Sequence, residues 1–145
     1  PGTVDGWELT LPASLRLVVD DRMLPVGEQP VDGTAYDFRV SRPVGAAVLD
    51  DGFGELGRDE SGVATAEVRD GVTGLGVALW ADAAHRWLQV FSADGQGARS
   101  RHGLAVEPMT APADAFRSGR DLVTLAPGGS AGDEHSASWG IRALG

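Results

Sequence analysis

The sequence of 145 residues contains no cysteine, so disulfide bonds and thiolate metal sites are excluded. It has no apolar run near the roughly 20 residues that a membrane-spanning helix needs. The first residues, Pro1–Asp5, show neither the basic start nor the apolar stretch of a signal peptide. We therefore expect a cytoplasmic protein that does not enter a membrane.

Basic residues are also scarce. The chain has 12 basic against 21 acidic residues, which gives a net charge of −9. Only Arg99–His102 is locally basic, so the chain repels phosphate backbones and nucleic acid is not an expected partner. Apolar residues make up 42% and charged residues 23% of the chain, which is the balance of a globular protein.

Long helical patterns are missing as well. No window of helix length repeats apolar residues at the i, i+3, i+4, i+7 spacing, and 21 glycines and 8 prolines disfavour long helices further. Only short helices are expected, around 81–85 and 113–116.

Asp-Gly pairs recur along the chain and predict tight turns, because they tolerate the positive φ angles of such turns. The pairs are Asp5-Gly6, Asp32-Gly33, Asp51-Gly52, Asp70-Gly71 and Asp94-Gly95. Between the turns, β-prone runs predict strands at 7–11, 15–19, 36–40, 63–69, 75–80, 86–91, 104–107, 122–125 and 138–141. In the first run, Trp7, Leu9 and Leu11 alternate with polar residues, which is the period of a half-buried strand. About nine strands favour an all-β, antiparallel β-sandwich.

The segment Gly103–Thr110 ends an apolar strand with a carboxylate and a proline. Pro108 favours an extended conformation at Glu107, because the residue before proline is pushed out of the α region. Alternation places Leu104 and Val106 on one face and Glu107 on the other, with a small alanine beside it that leaves room for a ligand. The spacing alone favours a plainer interpretation, a solvated glutamate at a strand end.

The same segment, followed by Pro112 and Asp114–Phe116, resembles the sequence around the catalytic base of the aldose 1-epimerase (galactose mutarotase) family. Further matches resemble the carboxy-terminal half of that family and follow in the same order. They are Asp21–Gly27, Tyr36–Arg39, Arg42–Gly45, Leu49-Asp50 with Phe53, Trp87–Phe91 and Ala137–Ile141. Together they cover nearly the whole chain. Arg117 departs from the pattern, since the resemblance leads us to expect asparagine there.

The resemblance implies that residues 1–145 form the carboxy-terminal portion of one domain, a large β-sandwich of the galactose mutarotase type. In that fold the two halves share sheets, so this half alone would expose core and strand edges. We therefore expect an amino-terminal half, present as a second chain, a cleaved polypeptide or a missing segment.

The resemblance also implies a reaction that opens and recloses a hexose ring. Glu107 would take the proton of the C1 hydroxyl, and a carboxylate held out of water gains the basicity for this task. Asp50 matches a sugar-binding aspartate, although a turn aspartate before Asp51-Gly52 is an alternative. Phe91 and Trp87 could each offer an apolar face to the sugar, although an aromatic on an alternating strand is more often core, and Phe91 is kept as the candidate. No cofactor and no metal are expected.

The acid histidines of the family lie in its amino-terminal half and have no match here. His85 and His135 are interpreted as surface residues, and a solvated role is expected for His102. A different class of function stays open: a non-catalytic carbohydrate-binding or regulatory module that keeps Asp50 and Glu107 as hydroxyl acceptors. A hexose-phosphate epimerase would need a basic phosphate pocket, which the sequence does not indicate.

Overall fold

The structure is a computed structural model that describes residues 2–145; Pro1, the first residue of the predicted domain, lies outside the described residues. Within residues 2–145, ten strands form two antiparallel sheets of five strands each. The all-β, antiparallel sandwich predicted from the sequence is therefore confirmed.

The first sheet has the strand order β10-β7-β6-β1-β4. Its strands are β1 (Trp7–Thr10), β4 (Arg42–Pro43), β6 (Ala64–Asp70), β7 (Gly76–Ala81) and β10 (Trp139–Leu144). The hairpin between β6 and β7 turns at Asp70-Gly71, as predicted, where the Asp70 carboxylate accepts hydrogen bonds from the backbone of Val72 and Thr73. β10 and β4 are the two edges of this sheet.

The second sheet has the order β3-β2-β5-β8-β9. Its strands are β2 (Ala13–Val19), β3 (Pro25–Pro30), β5 (Asp50–Leu56), β8 (Trp87–Phe91) and β9 (Ala105–Met109). β9, the strand that carries Glu107, is an edge of this sheet.

The main core lies between the two sheets. Leu9 and Leu11 are fully buried there and Trp7 packs against them, which confirms the alternation predicted for the first strand. Phe53, Leu88 and Val90 contribute to the core from the second sheet. Because these residues alternate along their strands, the side chains between them point to the outer face of the second sheet.

Helix is short, as expected. In the part of the chain that the structure describes, one α-helix spans Ala115–Ser118, close to the predicted 113–116, and 3-10 turns span Val4–Gly6 and Gly97–Arg99. The helix predicted around 81–85 is wrong, because this segment finishes β7 and then turns. Among residues 2–145, no helix has the length and the apolarity needed to cross a membrane.

Two predicted strands are wrong. Residues 36–40 form a loop, in which the Asp37 carboxylate accepts hydrogen bonds from the backbone and the guanidinium of Arg39. Such local bonds compete with a sheet ladder. Residues 122–125 are also irregular; Val123 and Leu125 are exposed there, so no buried face holds the segment as a strand.

Strands β3, β4 and β5 were not predicted from the sequence, and β5 matters most because it carries Asp50. Its Asp51-Gly52 pair was interpreted as a turn, but both residues lie inside the strand. Packing requires glycine at position 54, since a Cβ on Gly54 would come within 2.8 Å of the Trp87 ring. Glycine in a strand often marks such a close approach rather than a turn.

Candidate active site

Three neighbouring strands, β5, β8 and β9, bring the predicted site residues together. Asp50 pairs with Phe91, and Gln89 pairs with Glu107. Directly paired residues of antiparallel strands project from the same face, and residues two apart on one strand also share a face. Asp50, Phe91, Gln89 and Glu107 therefore all lie on the outer face of the second sheet.

Gln89 stands between the two carboxylates. Its Nε2 donates a hydrogen bond of 2.9 Å to Oδ1 of Asp50, and Glu107 is its direct cross-strand neighbour on the other side. We call Asp50, Gln89 and Glu107 the carboxylate row. Gln89 was not predicted as a site residue, although a polar residue between Trp87 and Phe91 in an alternating strand was a signal for it.

Asp50 and its neighbour Asp51 have different roles. Asp51 is 4% exposed, points into the sandwich and accepts a 2.7 Å hydrogen bond from Nε of Arg16. Asp50 is exposed and points the other way. The alternative interpretation of Asp50 as a turn residue is wrong, because it lies in β5.

Glu107 lies on an edge strand and is exposed. Leu104 and Val106 pack against the main core from the opposite face, as the alternation predicted. Within residues 2–145, Glu107 is thus in contact with solvent rather than at the floor of a closed pocket. Any exclusion of water from its carboxylate has to come from a bound molecule or from further polypeptide.

An apolar cluster lies next to the row on the same outer face. It is formed by Leu15, Leu17 and Trp87, with Met109 packed against them, and we call it the Trp87 cluster. Trp87 is only 2% exposed, so its ring has no free face for a sugar. Phe91 is half-buried and directly opposite Asp50, which makes it the more accessible aromatic at the row.

The segment that follows α1 closes over the Trp87 cluster. The indole Nε1 of Trp87 donates a 2.9 Å hydrogen bond to Oδ2 of Asp121, and Arg86 pairs with Oδ1 of Asp121 at 2.5 Å. The guanidinium of Arg120 lies 4.7 Å from the centre of the Trp87 ring. The indole hydrogen bond lowers the pKa of Asp121, with Arg86 adding to the effect, against burial that raises it.

The histidines are only partly where the sequence analysis placed them. His102 and His135 are exposed, as expected, but the surface interpretation of His85 is wrong, because its side chain is buried. Its Nδ1 lies 3.1 Å from Oδ1 of Asp82. Burial raises the pKa of Asp82, but hydrogen bonds from the Ser138 backbone and from His85 outweigh it and keep that pKa below the ordinary value.

None of the three histidines belongs to the carboxylate row in residues 2–145. His85 precedes Gln89 by four positions, about 13 Å of extended chain. The described residues also form no cluster of three or more side chains suited to hold a metal ion. The row itself can accept hydrogen bonds and protons at its carboxylates and can donate only through the Gln89 amide.

Comparison with known proteins agrees with the fold. The family model for aldose 1-epimerase matches residues 1–137. The uncharacterized protein YihR of Escherichia coli (strain K12) is 31% identical over 126 residues, which are 87% of this chain and 38% of that protein. The GalM/aldose epimerase homologue from C. elegans superimposes with a TM-score of 0.59 at 17% identity, over 73% of this chain and 37% of that chain.

The chain therefore belongs to the aldose 1-epimerase family and has the galactose mutarotase-like sandwich fold. It spans well under half the length of the E. coli protein and of the C. elegans structure.

Proposed function

We propose that this chain carries the base-bearing part of an aldose 1-epimerase, an isomerase that interconverts the α and β anomers of a free hexose such as galactose or glucose. The observation that carries the proposal is the carboxylate row: two outward-facing carboxylates flank one amide on a single open face. An acceptor-rich surface of this kind suits a ligand that presents several hydroxyl groups.

Glu107 is the general base of the proposed reaction. Its carboxylate takes the proton of the C1 hydroxyl, the electrons of that bond form the C1 carbonyl, and the bond from C1 to the ring oxygen breaks. An acid gives a proton to the ring oxygen at the same time. Rotation about the C1–C2 bond and the reverse steps give the other anomer, with each proton returned to the group that supplied it.

The other members of the row bind and orient the sugar. Asp50 accepts hydrogen bonds from ring hydroxyls, and Gln89 holds one oxygen of Asp50 in place while leaving its own amide oxygen free to accept. Glu107 and β5 are separated by two strand spacings of about 4.8 Å each, so a ligand can lie over Gln89 between the two carboxylates. Phe91 offers an apolar surface opposite Asp50.

The acid is a histidine from the amino-terminal half of the same sandwich, supplied as a second chain or as a missing segment. The carboxylate row has no histidine of its own among residues 2–145, and Glu107 is open to solvent there. A covering half would supply the acid and also exclude water from the base. Without it, we expect the chain to turn over slowly.

The test is polarimetry of freshly dissolved α-glucose or α-galactose with this chain assembled with the amino-terminal half. Glu107→Gln should slow catalysed mutarotation by about 10² to 10⁴-fold, because the amide cannot accept the proton. Glu134→Gln is the matched control, since it removes the same charge from an exposed residue elsewhere. An unchanged rate in Glu107→Gln would contradict the proposal.

A second candidate is a carbohydrate-binding or regulatory module without catalysis. The solvent-exposed position of Glu107 favours it, because sugar binding needs only a carboxylate that accepts hydrogen bonds from hydroxyl groups and no group held out of water. The same assay separates the two functions. Sugar binding by calorimetry with no acceleration of mutarotation in the full assembly would support the module.

A further inference from the structure

The inward face of the first sheet is uncovered on one side. Trp139 and Ile141 of β10 pair with Ala81 and Leu79 of β7, two residues of the main core, so all four share the inward face. Yet Trp139 is 52% and Ile141 64% exposed. Val77, on the same face of β7, is exposed too. An edge strand thus presents large apolar side chains to solvent on the side that normally faces a core.

An apolar cavity of about 220 Å³ continues this face into the sandwich. Leu79 and Ile141 line it from the first sheet, and Leu104 and Val106 line it from the second. Leu104 directly precedes β9 and Val106 lies in it; β9 is the edge strand that carries Glu107. The open side of the sandwich is therefore bordered by β10 in one sheet and by the strand of the proposed base in the other.

We infer that this open side is the docking surface for the part of the sandwich that this chain does not contain. The occupant is an extended polypeptide segment with apolar residues at alternate positions. It pairs with the free edge of β10 and covers Trp139, Ile141 and the cavity. The inference rests on the proposed function, because it locates the amino-terminal half on which that function depends.

The lengths of the related proteins support this occupant. The chain matches 38% of the E. coli protein and 37% of the C. elegans structure, so most of each protein has no counterpart here. A second copy of this chain is less suited, because each copy carries a net charge of −9 and two copies repel one another.

The edges of the two sheets differ in how well they accept a new strand. β9 contains Pro108, which has no N–H to donate and therefore disfavours pairing of this edge with a further strand. β10 contains no proline from Trp139 to Leu144. Strand pairing is therefore assigned to β10, while side chains of the same segment cover Leu104 and Val106 at the edge of the second sheet.

The experiment co-expresses this chain with the part of the E. coli protein that lies outside the matched region. We expect a complex with one copy of each polypeptide by light scattering after size exclusion, and slower hydrogen exchange at β10 within it. Ile141→Asp should weaken the complex about tenfold or more, because it places a charge in the covered apolar face. Arg142→Gln changes the net charge equally on the opposite, exposed side of the same strand, and should leave the complex intact.

Trp139→Ser is a second variant on the same face, and circular dichroism of each variant verifies that it folds. The inference is overturned by the absence of a complex, by a complex insensitive to Ile141→Asp and Trp139→Ser, or by a homodimer of this chain that Ile141→Asp abolishes. None of these measurements uses a sugar. A complex that forms normally but gives no mutarotation would therefore overturn the proposed function and leave the docking surface standing.

Discussion

The carboxylate row and the Trp87 cluster lie side by side on one face of one sheet, but they meet solvent differently. The cluster is buried beneath Arg120 and Asp121, whereas Asp50 and Glu107 are exposed. The polar groups that can do chemistry are thus held by a sheet whose neighbouring positions are fixed by apolar packing. The cluster therefore stabilises the face, whereas the carboxylates of the row stay accessible to solvent.

The largest expected effect comes from removing the centre of the cluster. Trp87→Ala should lower the free energy of unfolding by about 3 to 5 kcal/mol, because loss of the buried indole leaves a cavity and removes the hydrogen bond to Oδ2 of Asp121. Urea unfolding followed by circular dichroism measures the change. Phe91→Ala, at the row, should cost clearly less because Phe91 is only half-buried; equal losses would show that the two regions are not distinct.

A smaller effect is expected from overfilling the cluster. Gly54→Ala places a Cβ 2.8 Å from the Trp87 ring and should cost about 1 to 3 kcal/mol in the free energy of unfolding. Gly27→Ala on β3 is the matched control, because no heavy atom lies within 4 Å of its Cβ position. If both variants unfold at the same urea concentration as the parent, the close contact between β5 and Trp87 does not constrain the sheet.

The smallest effect concerns the hydrogen bond between Asp121 and Trp87 at the covered side of the cluster, and it depends on pH. The pKa of Asp121 is lowered in the folded chain, so its charged form stabilises the fold at pH values above its unfolded pKa of about 3.9. That stabilisation is lost as the pH falls through the lower, folded pKa. Asp121→Asn should therefore cost about 1 to 2 kcal/mol at pH 7, and less at pH 3.

Urea unfolding at pH 7, 5 and 3 measures this difference. Asp21→Asn serves as the control, since Asp21 is exposed in the turn after β2 and should show little change at any of these values. If the free energy of unfolding differs between Asp121→Asn and the parent by the same amount at all three pH values, the charge of Asp121 does not stabilise the segment that covers the Trp87 cluster.

Residues with a simple local pattern were predicted well. The alternating Trp7, Leu9 and Leu11 and the paired faces of Leu104 to Glu107 lie where the sequence placed them, because side-chain alternation follows directly from strand geometry. β5 was missed because its glycines fit both a turn and a close packing contact. Only the distant Trp87 ring decides between these two, and no local pattern reports it.

The site was predictable in a different way. Asp50 and Glu107 came from the family resemblance and Phe91 from its aromatic side chain, and their arrangement on one face could not come from spacing, because it depends on the register of strands far apart in sequence. Gln89 was missed for the same reason: its importance lies in the bond to Asp50, 39 positions away. The burial of His85 likewise depends on its contact with Asp82 and on the packing around it.

The adjacent Asp50 and Asp51 determine which mutations β5 can accept. The two acids face opposite sides of the sheet, and the inner one is anchored by Arg16. A slip of a single residue in this strand would turn the outer carboxylate of Asp50 inward and expose the inner one of Asp51 to water. The Arg16–Asp51 pair therefore fixes the register of β5, and insertions or deletions in this strand should destabilise the fold far more than substitutions do.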